Sequence, residues 1–464
     1  MPPITLTLTG IAHGGEAFGV HDGRIVFVPY AIPGEQVQVE LVEAHRRWAR
    51  ARLLRVLSPS PDRVEPPCPY FGPGRCGGCQ WQHIAYERQL YLKAEVVADQ
   101  LRRLGGVAEP PVLDMVALAD DQGLLAYRYR NHAQFYVNAE GELCLVREAG
   151  SRSAERDTGR RSQRADPADL IPVDQCLLLH PLLDELHAAA AGGLLSDRPI
   201  FEEEASGDEE EAAPPPPRVR RLYLRAGVHT GQRLLVFETE DDRAPNFAVE
   251  ELAVSCALRR RNGAVVPLIG EPWIEETVAG RTFRVSAGSF FQVNTVGAEV
   301  LVALAAEMLA PQGHETLLDA YCGVGLFGLS LADQVGHVVG IEESEAACED
   351  FAWNARDLDN VTLHEGPVEQ VLAVLDEPVD LALLDPPRSG AGPEVVRHLA
   401  RLGVPRLLYV SCDPATLARD AKLLLAAGYR LEQVQPVDLF PQTFHVETLA
   451  LFTRPQEENR AAKG

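Results

Sequence analysis

No stretch of this 464-residue chain approaches the roughly 20 uncharged apolar residues that a membrane-spanning helix requires. No membrane partner is expected. The opening residues, MPPITLTLTGIAHGGEAFG, lack the basic and apolar regions of a secretory signal. Cysteines are few and odd in number, nine in all, which does not suit a disulfide framework. Reduced thiols in the cytoplasm are the expectation. Positive charge is in deficit: 43 Lys and Arg face 67 Asp and Glu, a net charge of −24. That balance argues against nucleic acid only until it is divided along the chain. Residues 202–211 (EEEASGDEEE) hold seven acids and no base. Residues 1–60 hold six arginines and five acids, with Arg46, Arg47, Arg50, Arg52 and Arg55 in one stretch. A local patch of that kind can track phosphates whatever the total charge. The composition, 46% apolar and 24% charged, excludes global disorder, and the length suits about three domains.

Turn residues and periodicity divide the chain. Over residues 1–60, short strand-like runs (ITLTLTGIA, EAFGVHD, GRIVFVPYA, EQVQVELVEA, RARLLRVLS) separated by Gly and Pro predict a small OB-like β-barrel. Residues 61–282 read as a mixed α+β domain. It opens with a Pro-rich joint and a cysteine segment, CPYFGPGRCGGCQWQH, followed by an amphipathic helix, AYERQLYLKAEVVADQLRRLGG, that ends on a glycine pair. That domain holds an Arg/Ser/Asp-rich excursion at 150–168, and its acidic, Pro-rich insert at 201–217 reads as a disordered loop or tether. From residue 283 to 464, ETLLDAYC, HVVGIEES, DLALLDPP and RLLYVSC alternate with helical spacers. That alternation predicts an α/β fold with a parallel, doubly wound sheet.

Chemistry gathers in the last domain. Gly323, Gly325 and Gly328 spell G-x-G-x-x-G, which a nicotinamide-binding domain would also show. Two acids favour S-adenosylmethionine instead: Asp319 on the strand before the glycines, and Glu342 ending the next strand, placed to accept both ribose hydroxyls. The following strands end in Asp385-Pro386-Pro387-Arg388 and Ser411-Cys412-Asp413-Pro414. Ligands of open α/β sheets bind beyond such carboxyl ends. Cys412, followed by a helix whose N-terminus can lower its pKa, is a candidate nucleophile. Glu447 stands where a closing strand begins.

The segments SCDPATLARD, LLDPPRSG, AGSFFQVN, DAYCGVGLFGLSLA and FPQTFHVETLALF resemble the bacterial RNA 5-methyluridine methyltransferases. The likeness is greatest to the iron–sulfur branch that acts on large-subunit ribosomal RNA, and the N-terminal barrel looks like that family's TRAM domain. The resemblance implies a monomeric RNA uracil-C5 methyltransferase whose partner is ribosomal RNA, with transfer RNA as the alternative. It implies that Cys412 adds to carbon 6 of uracil, which makes carbon 5 nucleophilic enough to attack the sulfonium methyl group. Asp385 would hydrogen-bond the uracil edge near the cofactor, and Glu447 would remove the carbon-5 proton. Gln292, Tyr321 and Glu342, with the loop of Gly323 and Gly325, would hold S-adenosylmethionine. The sequence departs from the family at Leu326, often Asn, and near Pro367, where an acid or amide is usual.

Cys68, Cys76 and Cys79 form C-x7-C-x2-C, a spacing that argues for metal. Cys144 and Cys176 are candidates for a fourth thiolate. The resemblance selects Cys176, through IPVDQCLLLHP, and implies a [4Fe–4S] cluster. The family usually has five residues between its first two cysteines, so zinc stands as an alternative. The C-x3-C-x2-C of radical enzymes is absent. Two other readings are open: an adenine or cytosine amino-methyltransferase, from Asp385-Pro386-Pro387, and a non-catalytic RNA-binding iron–sulfur module. The first wants an aromatic residue where Arg388 stands, and the second has no use for Cys412 and Glu447 together.

Overall fold

The computed structural model describes residues 2–121, 123–148, 166–191, 217–247, 249 and 252–454. The acidic run, Pro214–Pro216 and most of the 150–168 excursion lie outside the described residues.

Residues alternate in the first strands between aliphatic and polar, and the period of two puts the aliphatic set on one face. Strands β1 (Ile4–Ile11), β2 (Ala17–His21), β3 (Arg24–Val28), β4 (Gln36–Ala44) and β5 (Trp48–Ser58) close into a barrel of order β1-β2-β3-β5-β4. Leu6, Leu8, Val26, Val28, Val37, Val39 and Ala51 fill it, while the β1 threonines face outward. At Gly19 a Cβ would lie 2.3 Å from the Thr7 carbonyl, so only glycine permits that approach of β2 to β1.

Two compact units emerge from the contacts, and the division differs from the expected boundaries. The first unit joins residues 1–67, 79–126 and 290–464; the second joins 68–78 and 127–289. Helix α1 (Tyr86–Arg103), expected in the central domain, belongs to the first unit. The reason is burial: Val97 and Leu101 of α1 share one core with Leu417, Ala421 and Leu424 of the C-terminal domain. A small hairpin, β6 (Ala119–Asp120) and β7 (Gly123–Leu124), follows.

The second unit is a sheet of order β10-β9-β8-β11-β12-β13-β14. Its strands are β8 (His132–Val137), β9 (Leu143–Val146), β10 (Leu170–Pro172), β11 (Val219–Ala226), β12 (Arg233–Thr239), β13 (Ser255–Arg259) and β14 (Val265–Ile269). Helix α2 (Pro181–Ala189) packs Leu183 and Leu186 into its core, and β15 (Trp273–Val278) pairs with β16 (Arg281–Ser286).

The C-terminal domain begins with α3 (Thr295–Leu309) and continues as β17 (Thr316–Ala320), α4 (Leu326–Leu331), β18 (His337–Glu342), α5 (Glu345–Asn354), β19 (Val361–Glu365), α6 (Val368–Val374), β20 (Leu381–Leu384), α7 (Gly392–Leu402), β21 (Arg406–Ser411), α8 (Pro414–Ala426), β22 (Arg430–Val437) and β23 (Glu447–Thr453). The sheet order is β19-β18-β17-β20-β21-β23-β22. The first five strands run parallel, as the alternation predicts. Only β23 is reversed: it inserts antiparallel between β21 and β22, and β22 runs in the direction of the first five. Residues 112–116 cover the β22 edge through bridges from Val112 to Val434 and Val116 to Val437, which leaves that edge closed to further pairing.

Candidate active site

The order of the sheet reverses between β17 and β20, and a ligand crevice forms at such a switch point. Asp319 is fully buried one residue from the end of β17, and its Oδ2 accepts the Gly328 N–H at 2.7 Å. A Cβ on Gly328 would lie 2.7 Å from that oxygen, so the third glycine of the motif packs helix against strand. Burial pushes the Asp319 carboxyl up to about 7. Between them the chain turns through left-handed backbone at Tyr321 (φ 64°), Gly323 (φ 55°) and Gly325 (φ 94°). The non-glycine Tyr321 is the strained member of the three. Glu342, at the end of β18, reaches across: Oε2 accepts from Gly323 N–H at 2.9 Å, and Oε1 from Glu343 and Ser344 N–H at 3.0 and 2.8 Å. Oε2 keeps a lone pair for a ribose hydroxyl, while both lone pairs of Oε1 are engaged. Gln292 is buried just before α3, and its Nε2 donates to Asp385 Oδ2 at 3.4 Å.

The antiparallel last strand builds the reactive edge. Ser411 of β21 pairs with Thr448 of β23, so Cys412 and Glu447 occupy the next register step, at one end of the sheet. Asp385 follows the neighbouring β20. Burial, foremost, pushes the Cys412 thiol up to about 12, and the Glu447 and Asp385 carboxylates add to the shift while Arg388 opposes it. The expected lowering by the α8 N-terminus is therefore corrected. Asp413 is the N-cap of α8, and its Oδ1 takes the N–H groups of Ala415 and Thr416 at 2.9 and 2.8 Å. The helix end is thus occupied by a carboxylate and does not serve the thiol. Burial also pushes Asp385 up to about 7. Glu447 is held well above the usual carboxylate range by burial and then by Asp385, with Arg388 opposing.

Several residues that position this edge were not singled out from sequence. Asp420 of α8 accepts from Tyr409 Oη at 2.6 Å and from Ala391 N–H at 2.8 Å, which fixes the loop after Asp385–Arg388. Asn294 caps α3 through Gly297 N–H at 3.2 Å and donates to the Leu439 carbonyl at 3.3 Å. The loop from Asp438 to Val446 hangs on α1. Lys93 and Asp438 form a fully buried ion pair at 2.6 Å, and Lys93 Nζ also donates to the Phe440 carbonyl at 3.1 Å. Gln89 exchanges two hydrogen bonds with Gln442, a non-glycine residue at φ 69°. The carbonyl of Gln442 accepts from Gln80 and Trp81 N–H at 3.1 and 3.0 Å. An Asn before a helix start is a readable cap signal; the pairing of Lys93 with Asp438, hundreds of residues apart in sequence, leaves no local trace.

Among the basic stretch of the barrel, Arg50 pairs with Glu16 at 3.4 Å and Arg52 with Glu40, while Arg46, Arg47 and Arg55 are exposed. In the second unit Cys68, Cys76 and Cys176 are electrostatic neighbours, and burial pushes the Cys76 and Cys176 thiols up. Gly78 N–H donates to Cys76 Sγ at 3.4 Å. Cys144 is buried beside Glu142. The donors have the chemistry of a metal centre but not its distances: among the described residues no three His, Cys, Asp or Glu side chains are grouped closely enough to hold an ion. Cys79 belongs to the first unit.

Comparison with known proteins agrees with this geometry. A sequence profile described as tRNA (Uracil-5-)-methyltransferase matches residues 251–374 and 370–455, and a TRAM domain profile matches 4–54. An uncharacterized RNA methyltransferase of Streptomyces coelicolor is 37% identical over 95% of this chain and 90% of its own length. One from Gloeobacter violaceus is 36% identical over 97% and 96%. The crystal structure of Pyrococcus abyssi tRNA (uracil-54, C5)-methyltransferase with S-adenosyl-L-homocysteine has the same fold, with a TM-score of 0.69 at 24% identity, covering 97% of this chain and 100% of that one. The chain belongs to the S-adenosylmethionine-dependent RNA uracil-5-methyltransferase family and carries its TRAM domain.

Proposed function

We propose that the chain methylates carbon 5 of a uridine in large-subunit ribosomal RNA through a covalent Cys412–uracil intermediate. The observation that carries the covalent reading is the Ser411–Thr448 pairing, which sets Cys412 and Glu447 at one end of the sheet beside Asp385. A buried thiol held up to about 12 is neutral at rest, so its addition to carbon 6 must hand a proton to a neighbour. Asp385, at about 7, is part-ionised at neutral pH and is the acceptor. Taking that proton removes the Asp385 charge, the lesser of the two influences that raise Glu447; burial still raises it, and Arg388 still opposes. Gln292, Tyr321, Gly323, Gly325 and Glu342 would hold S-adenosylmethionine, which would supply the methyl group to carbon 5 and leave as S-adenosylhomocysteine. Glu447 then takes the carbon-5 proton, the sulfur–carbon-6 bond breaks, the departing Cys412 thiolate takes back the proton held by Asp385, and 5-methyluridine leaves.

The ribosomal substrate is supported by the cysteines, which resemble the iron–sulfur branch; the family description and the Pyrococcus abyssi protein name tRNA instead. Incubation with ribosomal and transfer RNA and labelled cofactor, followed by mass-spectrometric mapping, decides between them. RNA containing 5-fluorouracil should form a denaturation-resistant adduct with the wild type and none with Cys412→Ala. Absence of the wild-type adduct removes the covalent reading. A [4Fe–4S] cluster on Cys68, Cys76, Cys79 and Cys176 is the second part of the proposal, and no catalytic step passes through it. About four irons per chain after anaerobic purification, lost in Cys176→Ser and kept in Cys144→Ser, is the expected result; one zinc replaces the cluster reading.

A further inference from the structure

The β1–β2 turn of the barrel reaches the segments that carry both Cys412 and Glu447. His13 Nε2 lies 3.4 Å from Asp413 Oδ2, with side chains 33% and 29% exposed. Asp413 uses its other oxygen to cap α8, so its two oxygens tie the nucleophile's turn to two different elements. Within that turn, Ser411 Oγ donates to the Asp413 carbonyl at 3.1 Å and accepts the Asp413 N–H at 3.2 Å. Cys412 sits between these two residues.

The barrel turn is itself stiff. Ala12 N–H donates to the Glu16 carbonyl and Gly15 N–H to the Ala12 carbonyl, both at 2.9 Å, and Gly14 and Gly15 adopt φ of 100° and 87°. The Gly15 carbonyl accepts from Trp81 Nε1 at 3.0 Å. A Cβ on Gly15 would lie 2.8 Å from Phe444 Cβ, and Phe444 stands three residues before Glu447. One short turn therefore touches Asp413 on one side and the Glu447 segment on the other. A part-exposed His–Asp contact adds little to folding, so its consequence lies in geometry rather than stability.

We propose that His13 is a positioning residue for methyl transfer: the barrel sets the Cys412 turn through the His13–Asp413 contact and is not only an RNA-binding module. The proposal rests on Cys412 as the nucleophile. It is tested on the full-length enzyme with His13→Ala and His13→Gln, measuring kcat, KM, RNA affinity, melting temperature and the rate of adduct formation with 5-fluorouracil RNA. A misplacement of about 1 Å at a reacting group lowers rate by up to about 100-fold. We expect His13→Ala to lower kcat and the adduct rate roughly tenfold, with RNA affinity and melting temperature unchanged. His13→Gln, whose amide can donate to Asp413, should recover most of the loss. An unchanged kcat overturns the proposal, whether or not RNA affinity falls; a fall in affinity alone assigns His13 to RNA binding. Equal losses in both variants overturn it too, because the hydrogen bond is then not the agent. A wild-type enzyme that forms no adduct refutes the nucleophile reading instead, so the two failures are distinct.

Discussion

The two edges of the crevice treat their acids in opposite ways. At the cofactor edge, backbone N–H groups hold the carboxylates: Gly328 binds Asp319, and Gly323, Glu343 and Ser344 bind Glu342. At the nucleophile edge, Asp385 meets only a long contact from Gln292, and among the described residues no hydrogen bond to the Glu447 carboxylate is made. Partners on both oxygens give the Glu342 side chain a fixed shape, which suits binding, whereas Asp319 is held through one oxygen and shares the upward shift of Asp385. Burial without partners leaves protonation free to change with the occupant, which suits chemistry that must move a proton twice.

The largest expected effect separates the edges outright. Cys412→Ala should abolish turnover, a loss of at least about 10⁴-fold, while cofactor affinity and melting temperature stay near wild type. Turnover by that variant would move the nucleophile elsewhere. Glu447→Gln should stop turnover at a later point. The amide cannot accept the carbon-5 proton, so the methylated adduct should persist on denaturing gels and carry label from the cofactor's methyl group. A folded Glu447→Gln protein without labelled adduct at early or late times would show that Glu447 acts before methyl transfer or not at all.

The strand-end positions of Asp319, Glu342 and Cys412 were legible in the sequence because a strand end followed by Gly, Pro or a cap is a local signal. The parallel part of the sheet was legible for the same reason. The direction of β23 was not: an isolated apolar run does not state which neighbour it pairs with, and the antiparallel insertion is what seats Glu447 beside Cys412. The thiol's environment was misjudged because Asp413 reads as a helix cap, and its effect on the helix end and on Cys412 appears only in three dimensions. The place of α1 was missed because an amphipathic helix shows that it has a buried face, not which core receives it.

A smaller effect probes the cofactor edge through stability. Asp319 is held at about 7 against an ordinary 3.8, so the folded chain prefers its protonated form. Its contribution is fully present below about pH 4 and is lost as pH rises through 7. The lost stability amounts to roughly 4 kcal/mol at most. Asp319→Asn should therefore melt higher than wild type at pH 8 and show no advantage at pH 4, since the amide oxygen still accepts the Gly328 N–H. Identical pH slopes for the two proteins, by thermal denaturation without cofactor, would mean that the carboxyl is solvated or paired.

The smallest effect tests whether the two edges act separately. Glu342→Gln keeps the shape of the side chain but replaces one accepting oxygen with a donor, so at least one of its three backbone N–H contacts must be lost. A hydrogen bond to a charged group is worth about 1.5–3 kcal/mol. S-adenosylmethionine affinity should then fall roughly 10- to 100-fold, as read by calorimetry. Addition of Cys412 to 5-fluorouracil RNA needs no group from that edge, so the rate of adduct formation without cofactor should be unchanged. If Glu342→Gln slows that addition as much as it weakens the cofactor, the glycine loop also orders the nucleophile turn. The contrast between a binding edge and a proton-moving edge would then give way to a single cooperative site.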